Sequence, residues 1–336
     1  MDLKTLTEIN APSGHEQAIR RFLLDELKKL GFAPVLDRMG NVVVVKEGMG
    51  DAPRKRVMVS AHMDEVGLIV TSATEDGYLR IAAAGGIDPR VLDSKRVTVG
   101  DDKLPGVIGA VPIHLQSAAE RKHVLSMDEL LVDIGAKDKD EAERKAPMGT
   151  YISFDTPYVE YGDGFACGKA FDDRVGCLSL LRLLQEELPV DLVACFVSEE
   201  EVGCRGAKGA AFQQEPDIGI VLEGTTCNDL GDVPETAHVC EAGQGVAVSF
   251  MDGASIANRA LFRKALDVAK QENIPHQVKH SVSGGNDGGA IQRAREGVPV
   301  VVLSVPCRYI HSPSSVVKLS DVESQFALVK ALVKAL

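Results

Sequence analysis

Five short segments place imidazole or carboxylate groups where an apolar run gives way to a loop. Ala61-His62-Met63-Asp64-Glu65-Val66-Gly67 follows one such run. A neutral imidazole suits zinc or cobalt, and a carboxylate two residues on fits the group that fixes its tautomer, which singles out His62 and Asp64. The bland alternative is a hydrogen-bonded structural histidine. Phe171-Asp172-Asp173-Arg174 opens a predicted helix, where adjacent carboxylates either bind cations or cap the helix and complement its dipole. Ser198-Glu199-Glu200-Glu201-Val202-Gly203 leaves the apolar run 192–197, and three like charges that close repel unless cations neutralise them. Glu223-Gly224 ends the run 218–222 as a lone carboxylate or a simple turn. Arg308-Tyr309-Ile310-His311-Ser312 follows the run 300–305. Together these oxygen and nitrogen donors are the inventory of a two-metal hydrolase.

Competing chemistries find no support. No G-x-S-x-G elbow, Walker loop or G-x-G-x-x-G follows a strand, and no H-E-x-x-H helix is present. Ser283-Gly284-Gly285-Asn286-Asp287-Gly288-Gly289 reads as a flexible turn before a helix: an active-site wall, a plain loop, or, least well given Asp287, a phosphate cradle.

The elements that must hold these residues alternate helix and buried strand. Residues 42–45 and 57–60 are short apolar runs of the kind buried on both faces between helix layers, which puts His62 just past a strand end. Further strands are expected at 192–197, 218–222 and 298–303, with helices at 174–187 and 256–272. Ser13-Gly14-His15-Glu16 and Ser320-Asp321-Val322-Glu323 have the form of capping boxes opening the first and last helices, and Gly31 stops the first. Between 68 and 160 the texture changes to short strand-like pieces broken by glycine and proline. The expected fold is therefore α/β: a mixed-sheet α/β/α domain from 1–67 plus 161–336, with a small β-rich insert at 68–160.

Bulk composition agrees. With 336 residues, one large domain carrying an inserted smaller one is the default. A net charge of −12 opposes nucleic acid and anionic membrane as partners. The start Met-Asp-Leu-Lys lacks the character of a signal peptide, and no apolar run nears the ~20 residues of a membrane span, so a cytoplasmic location is expected. Seven cysteines without a C-x-x-C pair read as reduced thiols, mostly core.

With these residues laid out, the chain resembles the glutamyl aminopeptidases and the TET-type dodecameric aminopeptidases, within the cocatalytic zinc exopeptidases. The resemblance runs nearly end to end, through A-H-M-D-E-V-G at 61–67, A-F-D-D-R at 170–174, E-E-V-G-C-R-G-A at 200–207, E-G-T at 223–225, G-G-N-D-G-G at 284–289 and S-V-P-C-R-Y-I-H-S at 304–312. It implies two divalent metal ions per subunit, zinc or cobalt with manganese possible. Asp172 would bridge both, His62 and Glu223 completing one and Glu201 and His311 the other. It further implies Glu200 as general base, Asp64 as the group orienting His62, and the insert as a dimerisation domain whose dimers join into a dodecamer. The chain departs from relatives at Asn286 and Gly288, where many have Thr and Ala, and at Cys204, where others have an aliphatic residue.

The implied reaction is removal of N-terminal residues from short peptides that carry a free N-terminus. Glu200, left unligated, takes a proton from a water acidified between cations ~3.5 to 4 Å apart and returns it to the leaving amine. An amidase or deacylase acting on N-acylated amino acids is the alternative with the same metals. A glycosidase needs a carboxylate pair instead, and 4% aromatic residues supply few sugar platforms.

Overall fold

The computed structural model describes residues 2–336. The apolar runs form strands because they supply apolar side chains to two opposite faces. Along Asp191–Val197, Leu192, Ala194 and Phe196 join one hydrophobic cluster, while Val193, Cys195 and Val197 join another. Arg56–His62 repeats this, with Val57, Val59 and Ala61 on one side and Met58 on the other. That period-two division is what a strand covered on both faces requires. Phe196 is fully buried, so its truncation to alanine would cost roughly 3–5 kcal/mol.

Asp191–Val197, Arg56–His62, Ile218–Thr226 and Val300–Arg308 lie side by side in that order, all parallel. With antiparallel neighbours such as Val42–Lys46 they belong to an eleven-stranded mixed sheet. Gln17–Lys29, Phe171–Leu183, Arg259–Gln271 and Leu319–Lys334 pack on one face of it, and Arg205–Gln214 and Asp287–Gln292 on the other. This is the α/β/α layering expected from the sequence.

The β-rich stretch closes on itself. Strands Gly67–Ala73, Leu79–Ala84, Leu131–Asp133, Leu104–Gly109, Arg96–Val99 and Tyr151–Phe154 form a barrel in that order. Its interior is filled by its own cluster, including Leu68, Leu79, Ile81, Val97, Val132 and Ile152.

Both capping boxes are overridden by longer-range contacts. The first long helix starts at Gln17 without a side-chain cap; Ser13 Oγ donates instead to Asp64 Oδ2 at 2.6 Å, and Glu16 accepts from the Gly14 amide at 2.7 Å. The last helix starts at Leu319 without a side-chain cap, so Ser320 falls inside its first turn; Glu323 pairs with Arg182 at 2.8 Å, and Asp321 accepts from the amides of Gly243 and Gly245. Two strand limits also move: His62 is the last residue of its strand, and Glu223 sits inside Ile218–Thr226 because that strand continues beside Val300–Arg308. All seven cysteines are free, five of them buried. Among the described residues no helix is long and apolar enough to cross a membrane.

Candidate metal centre

The four parallel strands release their donors at the same edge. Register pairs Val197 with His62, so the loop carrying Glu200 and Glu201 emerges beside the imidazole. Ile218–Thr226 lies on the other side of Arg56–His62 and presents Glu223, and Val300–Arg308 delivers His311 three residues past its end. Carboxyl ends of parallel strands are where open α/β sheets place their ligands.

Asp172 arrives from another direction, in the first turn of Phe171–Leu183, with non-helical φ −81° and ψ 106° and a cis peptide to Asp173. The Gly224 amide donates to its Oδ1 at 3.1 Å; a Cβ on Gly224 would lie 3.0 Å from that oxygen, so glycine is what lets the strand come this close. The two Asp172 oxygens then face different groups. Oδ1 lies 3.3 Å from His62 Nε2, which is also 3.6 Å from Glu223 Oε2. Oδ2 lies 3.5 Å from His311 Nε2, which is 3.2 Å from Glu201 Oε2.

These spacings fit cations. Two ligands at about 2.0–2.2 Å from one tetrahedral ion stand about 3.3–3.6 Å apart, and the structure holds the donors at that separation. His62, Asp172 and Glu201 all offer ligand atoms within 4.8 Å of one another. Glu223 Oε1 is buried with no hydrogen-bond partner, an arrangement that costs on the order of 1–3 kcal/mol without a ligand.

Electrostatics tell the same story. Burial pushes the Glu201 carboxyl up to about 8 and Glu223 well above the usual carboxylate range. Burial opposes charging of His311 and His62, yet the surrounding carboxylates together, Asp172 foremost, outweigh it, carrying His311 up to about 9 and His62 well above its ordinary value. Asp172 itself is held well below the usual range, the two imidazoles outweighing its burial. Without cations the cluster is stable only by retaining protons.

Asp64 has a broader role than the sequence suggested. It is buried, with Oδ1 3.5 Å from His62 Nδ1, and that nitrogen also lies 3.1 Å from the Asp64 carbonyl. The same carboxylate accepts the Glu200 amide at 3.1 Å, the Glu201 amide at 3.2 Å and the Ser13 hydroxyl at 2.6 Å. Glu200, 9% exposed, lies within 4.0 Å of neither histidine's nitrogens and faces a cavity of about 400 Å³. Residues 283–286 form a wall of that cavity, which also includes Lys279. Glu199 turns away to Arg205 at 3.3 Å, and Asp173 turns from the donors to the His62 and Gly176 amides.

Sequence reasoning missed three contributors. Ser13 was read as a cap, and Asp287 only as a residue of a turn. Glu65 lies buried against Lys169 at 2.8 Å, tying the loop after His62 to the segment before Asp172. The signal available for Glu65 was its place inside the His62 segment; for Asp287 it was the run of glycines that packs it inward.

Residues 40–328 match the M42 glutamyl aminopeptidase family. The chain is similar to the lysyl aminopeptidase of Pyrococcus furiosus, 33% identical over 345 residues covering 99% of this chain and 96% of that one. It is likewise similar to the glutamyl aminopeptidase of Lactococcus lactis subsp. cremoris, 32% identical over 346 residues, 99% and 95% of the two chains. Among solved structures, the TET1 peptidase of Pyrococcus horikoshii, which assembles into a tetrahedron or a large octahedral shell, superposes with a TM-score of 0.87 at 33% identity, covering 99% of this chain and 98% of that one.

Proposed function

The chain belongs to the M42 glutamyl aminopeptidase family, and on that premise we propose that it hydrolyses N-terminal residues from short peptides at a centre of two divalent cations. The observation that carries this reading is the division of Asp172, one oxygen towards His62 and the other towards His311. His62 and Glu223 would hold one cation with Asp172, and Glu201 and His311 the other. Bound there, the ions supply an acidified water and a polarised scissile carbonyl. Mixed imidazole and carboxylate donors suit zinc or cobalt, and manganese is compatible.

The remaining steps belong to the chain's own residues. Glu200 is the general base: its carboxylate faces the cavity, leaves both histidines free, and is raised by burial towards the range in which it can take and return a proton near neutral pH. Asp64 fixes the two amides that set where Glu200 and Glu201 point, and orients His62. A free α-amine is a cation drawn into this acidic cavity, which an internal peptide bond cannot match.

Lys279 bears on which N-terminal residue is accepted. It is buried, its amine donates to the Ser283 carbonyl at 3.3 Å, and among the described residues lining the cavity it is the one lysine or arginine. A buried ammonium at the wall favours an acidic substrate side chain. Assembly of copies through the barrel, as dimers that build a larger shell, accords with the shells formed by the TET1 relative. A cytoplasmic site of action is part of this reading.

The test is a panel of aminoacyl p-nitroanilides and N-acetylated amino acids, run on chelated enzyme and after each metal is restored. Metal-dependent release from unblocked substrates is expected; cleavage restricted to N-acylated substrates would favour a deacylase instead.

A further inference from the structure

Beside the five-donor centre lies a second cluster, in which two groups that the reaction does not use, Cys204 and Asp287, meet Glu200. Glu200, Cys204 and Asp287 each present a ligand atom, all within 4.8 Å of one another. Cys204 Sγ lies 3.5 Å from Glu200 Oε1. Asp287 is 1% exposed, and neither of its carboxylate oxygens has a hydrogen-bond partner. Leaving a carboxylate so is among the more expensive arrangements a fold can adopt.

The fold builds this arrangement deliberately from three elements. Cys204 caps Arg205–Gln214 and keeps its own amide on the Glu200 carbonyl at 2.8 Å, so thiol and carboxylate are fixed in one turn. Asp287 opens the helix Asp287–Gln292, which Asn286 caps through the Gly288 amide while bonding to Asp252. Gly289 lets that helix press inward, since a Cβ there would lie 2.7 Å from the Ala254 carbonyl. Burial and the carboxylates of Asp287, Glu200 and Glu223 push the Cys204 thiol up, so a bare thiolate does not persist there.

We propose that Glu200, Cys204 and Asp287 form a third cation site, selective for thiophilic divalent ions such as zinc and cadmium, whose filling withdraws Glu200 from the reaction. One sulfur and two carboxylate oxygens are a donor set that zinc and cadmium accept and magnesium and calcium do not. The 3.5 Å between Cys204 Sγ and Glu200 Oε1 already matches the roughly 3.5 Å edge of a tetrahedral zinc site, and the Asp287 ligand atom lies within 4.8 Å of the Cys204 and Glu200 ligand atoms. Entry is through the cavity that Glu200 faces. On binding, the thiol proton leaves to solvent and a sulfur–metal bond forms. The inhibitory consequence rests on Glu200 as general base; the site itself does not.

Cadmium titration of the metal-loaded enzyme tests it. A thiolate-to-cadmium charge-transfer band should develop with one additional equivalent per chain, and the five-donor centre, having no sulfur, cannot produce it by exchange. Cys204→Ser and Cys204→Ala should both lose the band and the extra equivalent, and Asp287→Asn should weaken it by at least about tenfold. Loss of turnover with the added equivalent, relative to each protein's own starting rate, should be relieved in both Cys204 variants. Absence of a band, or a band that survives in Cys204→Ser, overturns the site. Failure of the two-cation reading would instead show as missing metal at the five-donor centre and would leave the band unchanged.

Discussion

The Asp64 carboxylate receives the Glu200 amide at 3.1 Å while its other oxygen takes the Glu201 amide at 3.2 Å. One buried group therefore sets both consecutive glutamates, so that Glu201 reaches His311 and Glu200 does not. In the proposed mechanism, separation of ligand from base within a dipeptide is a consequence of this contact.

Removing the base while keeping its shape should abolish turnover alone. Glu200→Gln is expected to lower kcat by about 10²- to 10⁴-fold, with metal content and assembly state unchanged. Elemental analysis and sizing on the same sample as the rate measurement decide it; a metal-replete variant with native kcat removes Glu200 from the role.

Asp64→Ala should act through its dependents. Loss of the contacts to His62, Glu200 and Glu201 is expected to weaken metal retention by about 10- to 100-fold, read by competition with a chelator. Ser13→Ala, which deletes a single hydroxyl on that buried carboxylate, should cost roughly 1.5–3 kcal/mol in unfolding free energy.

Stability of the metal-free protein should fall as pH rises. Glu201 titrates at 4.5 when unfolded and at about 8 when folded, and His311 moves from 6.5 to about 9. Both folded values are raised, so the stabilisation is complete below the unfolded values and is lost between 4.5 and about 9. Bound cations replace those protons. The gain in melting temperature on metal loading should therefore be larger at the top of that window than at its bottom, and an equal gain at both ends would contradict the coupling.

Substrate choice should follow Lys279. Lys279→Gln is expected to lower kcat/KM for glutamyl p-nitroanilide by about tenfold or more relative to leucyl p-nitroanilide. An unchanged ratio places the lysine outside the substrate's reach.

Much of the fold was legible because apolar runs and the candidate donors that follow them obey short-range rules. The placement of His62 and Glu201 at or just past strand ends follows from runs such as 192–197, whose alternate residues feed two cores, whereas Glu223 lies inside a strand that runs on to Thr226. What stayed hidden depended on distant partners. Ser13 and Glu323 belong to the local pattern of capping boxes, but Asp64 and Arg182, far away in sequence, take their hydrogen bonds. The Asp172 geometry was equally invisible, since it depends on Gly224 approaching from a strand 52 residues later. Nothing in the spacing of Cys204 and Asp287 announces that both reach Glu200.

Metal stoichiometry by elemental analysis tests the two-cation centre most directly. Two ions per chain are expected in the native protein, fewer in His62→Ala and in His311→Ala, and the fewest in Asp172→Ala, whose oxygens face both histidines. Unchanged occupancy in the Asp172 variant, or a single ion in the native protein, would contradict the account.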